Sequence, residues 1–143
     1  GFVSLFAQPA VGVVHNWGNA GANTRHYTAI DERLFTSAVE ALSPDCVVVL
    51  LGTNDWFPAE EEAENLTTIV SRIQKAVPET PVLLTSTFDI DYADARKWMA
   101  IYLEEAYPVA ARNTGCYYWN MHDWFGEYDP DRMLDEWHCN DKG

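Results

Sequence analysis

Cys46-Val47-Val48-Val49-Leu50-Leu51-Gly52-Thr53-Asn54-Asp55 is the stretch whose reading decides the fold. Its first six residues are uncharged and rich in β-branched side chains, the pattern of a short strand buried on both faces of a parallel sheet. Gly52 then marks the carboxyl end of that strand, which is where an open α/β sheet binds its ligands. Asn54 stands there with a side-chain NH2 able to donate to a developing oxyanion, one of the largest contributions in acyl-transfer catalysis. The same pair, Asn54-Asp55, also fits an Asx-type turn out of the strand.

Outward from that strand the pattern alternates. Strands are expected near 11–16, 45–51, 81–87 and 116–121, with helices between them and neither a repeat nor a low-complexity linker. This order argues for one α/β domain, residues 1–143, with a parallel sheet. A helix over 31–41 begins at Asp31-Glu32 and ends before Ser43-Pro44. A second, from Pro58 to about Val77, carries Leu66, Ile69, Val70, Ile73 and Val77 on one stripe. Glu60, Glu61, Glu62 and Glu64 crowd its first turns and complement its dipole, and Lys75 closes it. A third runs from Ala93 to about Arg112, with Pro108 expected to kink or divide it.

Two further motifs bear on chemistry. Val13-Val14-His15-Asn16-Trp17-Gly18-Asn19-Ala20-Gly21-Ala22-Asn23-Thr24 reads as a strand entering a glycine-bearing loop, where Gly21 offers an N–H with no side chain in the way. It lacks the full Gly-x-Gly-x-x-Gly of a dinucleotide fingerprint, and its plain reading is a strand-to-helix turn. At the other end, Asp135-Glu136-Trp137-His138 places a carboxylate three residues before an imidazole. A histidine serves as base to a hydroxyl when a carboxylate on its other nitrogen fixes the tautomer. A solvated surface pair is the plain reading of that spacing taken alone.

Taken in order, Asn16-x-Gly18-x-x-Gly21, Gly52-Thr53-Asn54-Asp55 and Asp135-x-x-His138-x-Asn140-Asp141-Lys142-Gly143 resemble three of the four signature blocks of the SGNH (GDSL-type) esterase and lipase family. The resemblance implies a three-layer α/β/α fold with a parallel, flavodoxin-like sheet ordered 2-1-3-4-5. It also implies that Gly21 and Asn54 are oxyanion-hole donors and that Asp135 and His138 are the acid and base of a Ser-His-Asp triad. Cys139 stands where the family often has proline, a change to the turn rather than to the chemistry. The family's Gly-Asp-Ser nucleophile block does not occur here. Ser4 reads as structural, and Ser37, Ser43, Ser71 and Ser86 lack the nucleophile's place in the order. The first strand is therefore expected to be missing, the domain to be incomplete at both ends, and the serine to come from a longer polypeptide. The groove between residues 11–16 and 45–51 should then accept a parallel strand, or the sheet should close across it.

Trp17, Trp56 and Trp137 follow the three motifs closely and are the expected pocket-lining residues. His15 and His26 read as structural. The net charge of −13 argues against nucleic acid and anionic membrane as partners, and no tract is long enough to span a bilayer. Three cysteines without paired spacing indicate neither a disulfide framework nor a zinc site; Cys46 and Cys116 read as small buried hydrophobes and Cys139 as exposed. A metal at His122, Asp123, Asp135 and His138 is set aside, because His122-Asp123 reads more simply as the exit from a strand. No cofactor is expected. The preferred function is an esterase or carbohydrate O-deacetylase acting on a small ester or acetylated carbohydrate. A binding module that kept the fold and lost the nucleophile, holding glycan or protein, is the alternative. A flavodoxin-like nucleotide binder shares the layout but explains neither Asn54-Asp55 nor Asp135 and His138. Acidity and abundant aromatics suit an extracellular or virion-borne domain.

Overall fold

The computed structural model describes residues 12–141, so Ser4, Val11, Lys142 and Gly143 lie outside the described residues. The fold is the α/β one expected. β1 (Val47–Leu50), β2 (Val82–Thr85) and β3 (Tyr117–Trp119) form a parallel sheet in the order β1-β2-β3. Parallel neighbours need crossovers. Those are supplied by α3 (Ala59–Ala76) between β1 and β2, and by α4 (Ala93–Glu105) with α5 (Tyr107–Thr114) between β2 and β3. Two helices precede β1, α1 (Thr24–Thr28) and α2 (Glu32–Leu42), and α6 (Met121–Phe125) follows β3.

Register sets which side chains meet the helices. Val49, Leu84 and Tyr118 are aligned across the three strands and share a face, against which α3 and α5 pack. The stripe expected on α3 is buried as far as Ile73: Leu66 and Val70 are fully buried, Ile69 and Ile73 nearly so, while Val77 caps the helix end and is half-buried. Each such side chain contributes roughly 1.5–3 kcal/mol of burial. The helix expected over 93–112 is divided at Ala106, where α5 begins with Pro108 in its first turn. A proline there has no N–H to waste and cannot sit deeper in a helix. α2 starts at an Asp31 cap, whose side chain accepts from the Leu34 N–H at 3.1 Å, and ends at Ser43 in the left-handed region (φ 44°).

Three expectations are corrected. No strand forms over residues 12–16, which are exposed; no ladder joins them to β1, and a strand without a partner cannot satisfy its backbone. β1 is not buried on both faces, for Val48 and Leu50 are exposed; β1 is the edge strand, paired on one side alone among the described residues. Cys46 is exposed rather than buried, because it precedes the first paired residue, Val47. Cys116 and Cys139 are half-buried.

The exit from β1 is held tightly. Gly52 has φ 129°, a conformation side chains rarely adopt, and a Cβ there would fall 2.0 Å from the Tyr107 hydroxyl oxygen. That hydroxyl donates to the Leu51 carbonyl at 2.6 Å. Gly52→Ala should therefore lower stability in urea titration by on the order of 2–4 kcal/mol, combining backbone strain with overpacking. Adding Tyr107→Phe should restore at most a small part of that loss, since it removes the closest clash but leaves the strained φ, a ring-carbon contact of 3.2 Å and the Leu51 carbonyl without its donor. Full stability in the single variant would show that the loop can move away from Tyr107.

Candidate active site

Loops at the carboxyl end of β1 and at the chain's end carry the residues singled out by the sequence. Gly21 lies in the turn before α1 with φ 71°, and the Asn19 carbonyl accepts from the Ala22 N–H at 3.0 Å across that turn. Asn23 caps α1, and the His26 ring nitrogen Nδ1 accepts from the Asn23 N–H at 3.1 Å, so His26 closes a capping box. Asn54 Nδ2 donates to the Ala22 carbonyl at 3.1 Å. One amide hydrogen is spent there; the second remains available on an exposed side chain. Gly21 and Asn54 are thus brought together.

The loop that carries Asn54 is fixed from below. Asp55 is fully buried and accepts at Oδ1 from the Thr24 N–H at 2.7 Å. The Tyr102 hydroxyl lies 2.8 Å from the carbonyls of both Asp55 and Phe57 and accepts from the Phe57 N–H at 3.1 Å. Between the Gly21 turn and this loop is a cleft of about 170 Å³, lined by Gly18, Asn19, Ala22 and Tyr27 on one side and by residues 50–54 on the other.

Asp135 and His138 also meet. His138 Nδ1 is 2.9 Å from each Asp135 carboxylate oxygen, and Asp135 Oδ1 accepts from the backbone N–H groups of Trp137 and His138 at 2.7 and 2.9 Å. An aspartate accepting from the backbone two residues on is a turn former in its own right. The turn is closed by the Leu134 N–H donating to the His138 carbonyl at 2.7 Å and by a bridge between Met133 and Cys139. The His138 ring, followed by the Trp137 amide, holds the Asp135 carboxyl below its usual range. Both side chains are solvent exposed, and His138 Nε2 makes no hydrogen bond among the described residues.

An aromatic stack connects the two halves. Tyr92 stacks on Trp56 (5.4 Å between centroids, 18° between planes) and meets Trp137 in a tilted contact (4.8 Å, 37°). Glu136 is tied to the same place, its carbonyl accepting from the Asp91 N–H at 3.0 Å. The Asn54 loop and the Asp135–His138 turn therefore lean on one side chain, Tyr92, which the sequence did not single out. Trp17 makes its ring contact with Phe35 instead, edge-on at 6.3 Å. His122 and Asp123 contact each other at 3.6 Å. No group of three or more metal-ligating side chains gathers among the described residues.

Sequence reasoning also missed Thr24 and Glu62. Glu62, expected only to complement the helix dipole with its neighbours, is fully buried, and its Oε2 lies 2.8 Å from Thr24 Oγ1. The signal was present: Glu62 is four residues before Leu66 and so lies on the apolar stripe of α3.

Residues 2–143 match the model of the GDSL-like lipase/acylhydrolase family. Among solved structures, the chain is similar to LAE5, an alpha/beta hydrolase enzyme from the metagenome of Lake Arreo, Spain. The identity is 23% and the TM-score 0.63, over 88% of this chain and 64% of that one. A Lactobacillus plantarum protein is similar at 16% identity and a TM-score of 0.52, over 84% of this chain and 65% of that one. The chain thus spans slightly less than two thirds of the length of both. No curated protein matches it.

The Asp135–His138 contact makes a specific statement about the tautomer. Long-range nitrogen–proton correlation spectra should show the neutral His138 ring protonated at Nδ1, with Nε2 bare. Asp135→Asn should move the balance towards the Nε2-protonated form, since an amide can donate to Nδ1. An unchanged tautomer would mean that the contact does not orient the ring in solution.

Proposed function

The chain belongs to the GDSL-like lipase/acylhydrolase family, and we propose that it carries the acid, the base and the oxyanion donors of an ester hydrolase whose serine comes from sequence outside residues 1–143. The observation that carries this reading is the Asp135–His138 contact, with Nδ1 engaged and Nε2 open. In that state the ring can take a proton from a hydroxyl at Nε2 and return it to the leaving alcohol, while Asp135 stabilises the imidazolium between the two steps. The Gly21 N–H and the second Asn54 amide hydrogen are the donors assigned to the oxyanion, since Asn54 already bonds the residue that follows Gly21.

The place assigned to the nucleophile is the cleft between the Gly21 turn and the end of β1. Beside it the outer edge of β1 has no ladder partner among the described residues, and a parallel strand ending in a serine would satisfy that edge. Trp56 and Trp137, held by Tyr92, offer flat apolar surface near the dyad, suited to an acetyl group or a sugar face. A small ester or acetylated carbohydrate is the substrate class.

The test compares residues 1–143 with a polypeptide extended upstream, using p-nitrophenyl acetate. The short form should be inactive. The extended form should hydrolyse the ester, lose activity on His138→Ala, and lose roughly 10²–10³ in kcat on Asn54→Ala, the usual effect of deleting one oxyanion donor. Asp135→Asn should also be damaging. Turnover by the short form at a rate unchanged by His138→Ala would overturn the assignment. An extended form that binds glycan and hydrolyses nothing would establish the binding-module reading in its place.

A further inference from the structure

Thr24, Asp55 and Glu62 form a buried polar knot that the proposed mechanism does not use. All three are fully buried. Thr24 Oγ1 lies 2.7 Å from Asp55 Oδ1 and 2.8 Å from Glu62 Oε2, and it accepts from Asn65 Nδ2 at 3.3 Å. A hydroxyl has one hydrogen to give. Spent on Asp55, which also accepts from the Thr24 N–H at 2.7 Å, it leaves the Glu62 contact as two oxygens at hydrogen-bond distance with nothing between them. The two carboxyls also face each other, and the remaining oxygens, Asp55 Oδ2 and Glu62 Oε1, are buried with no donor among the described residues. Two bare carboxylates in this setting would repel each other and leave charge unpaired in the interior. One added proton on Glu62 resolves the count, for a carboxylic acid can donate to Thr24 Oγ1 or to Asp55.

We propose that Glu62 is a positioning residue, holding one proton within the Thr24–Asp55–Glu62 knot and thereby fixing the Asn54 loop against the Gly21 turn. Thr24 is the first residue of α1, three after Gly21, and Asp55 is next to Asn54, so the knot spans the two loops assigned to the oxyanion. The catalytic consequence rests on that assignment; the proton itself does not.

Burial, and after it the charge of Asp55, pushes the Glu62 carboxyl up to about 8, and burial also raises Asp55 against the hydrogen bonds from Thr24. The other groups facing the pair are Glu61 on α3, Arg25 on α1, Tyr102 on α4 and Tyr107 on α5. Arg25 is engaged outward, donating from Nη2 to Glu61 at 2.7 Å, and the two tyrosines remain neutral, so none supplies the missing proton near neutrality. An acid whose folded value lies above its unfolded one binds more protons in the native state. Its stabilising contribution is therefore full below an ordinary glutamate value of 4.5 and is lost as pH rises through about 8.

Three measurements on the full-length polypeptide, compared with Glu62→Gln, test this. Gln is close in shape to protonated Glu and keeps a donor at all pH values. Infrared spectra at neutral pH should show a protonated-carboxyl C=O band that Glu62→Gln lacks. The melting temperature of the wild type should fall more steeply than that of Glu62→Gln as pH rises to about 8. Amide protection factors in residues 21–25 and 52–57, corrected for the intrinsic rise of exchange with pH, should fall over the same range in the wild type and stay flat in the variant. In an active enzyme, Glu62→Ala should lose on the order of 10²-fold in kcat, the scale of a 1 Å misplacement, with Glu62→Gln restoring most of it at neutral pH. Absence of the infrared band, or identical pH dependence in wild type and Glu62→Gln, would overturn the proposal. The band and the exchange difference without ester turnover would uphold the knot and reject the hydrolase reading. Turnover with neither would do the reverse.

Discussion

The structure depends on how the backbone leaves β1. Residues 51–57 turn away from the sheet with Gly52, Asp55 and Phe57 buried, and a buried peptide group without a partner costs about 1–3 kcal/mol. The sheet cannot help, because its ladder stops at Leu50 paired with Thr85. Two tyrosines from the next crossover take its place: Tyr107 bonds the Leu51 carbonyl, and Tyr102 serves Asp55 and Phe57. Burial raises both phenols well away from ionisation, so they remain donors across the ordinary pH range. Gly52 follows from this arrangement, since only a residue without a side chain can pass so close to Tyr107.

The acidic composition divides into two physically different parts. Most of the net charge of −13 lies on exposed residues, where like charges are screened and some pair with cations, as Glu32 does with Lys75 and Glu61 with Arg25. Such pairs contribute little. Asp55 and Glu62 are the exceptions, buried together under α1 where screening is weak. Their cost in isolation would be large, so their value must come from what they hold together: α1, the exit of β1 and the start of α3.

Elements with a strong period were legible in the sequence. The stripe on α3, the Asp31 cap of α2, the division near Pro108 and, within shorter bounds, the three strands from 45 onward appear where they were expected, because each follows from local chemistry or one-sided burial. The Asp135–His138 contact was legible for the same reason, being a single turn of chain. What could not be read is what depends on partners distant in sequence. Residues 12–16 have the composition of a strand and pair with no strand among the described residues. Glu62 resembles its exposed neighbours Glu60 and Glu64 until α1 is folded over it, and Tyr92 gains its role only when Trp56 and Trp137, 36 residues before it and 45 after it, arrive on either side of it.

The two halves of the candidate site are built to different standards of rigidity. Gly21 and Asn54 belong to loops anchored by a buried carboxylate, a buried hydroxyl and two buried phenols. Asp135 and His138 sit on an exposed turn that the Tyr92 stack and the Asp91–Glu136 bond attach to the body. This division suits the chemistry assigned to them. Donors to an oxyanion work by being fixed before charge develops, whereas a base that accepts a proton and returns it must reach first the nucleophile and then the leaving group. A short turn that sets its own internal geometry through Asp135 would preserve the contact with His138 if the turn as a whole adjusted, whereas Gly21 and Asn54, the donors proposed for the oxyanion, depend on the body of the fold for their positions.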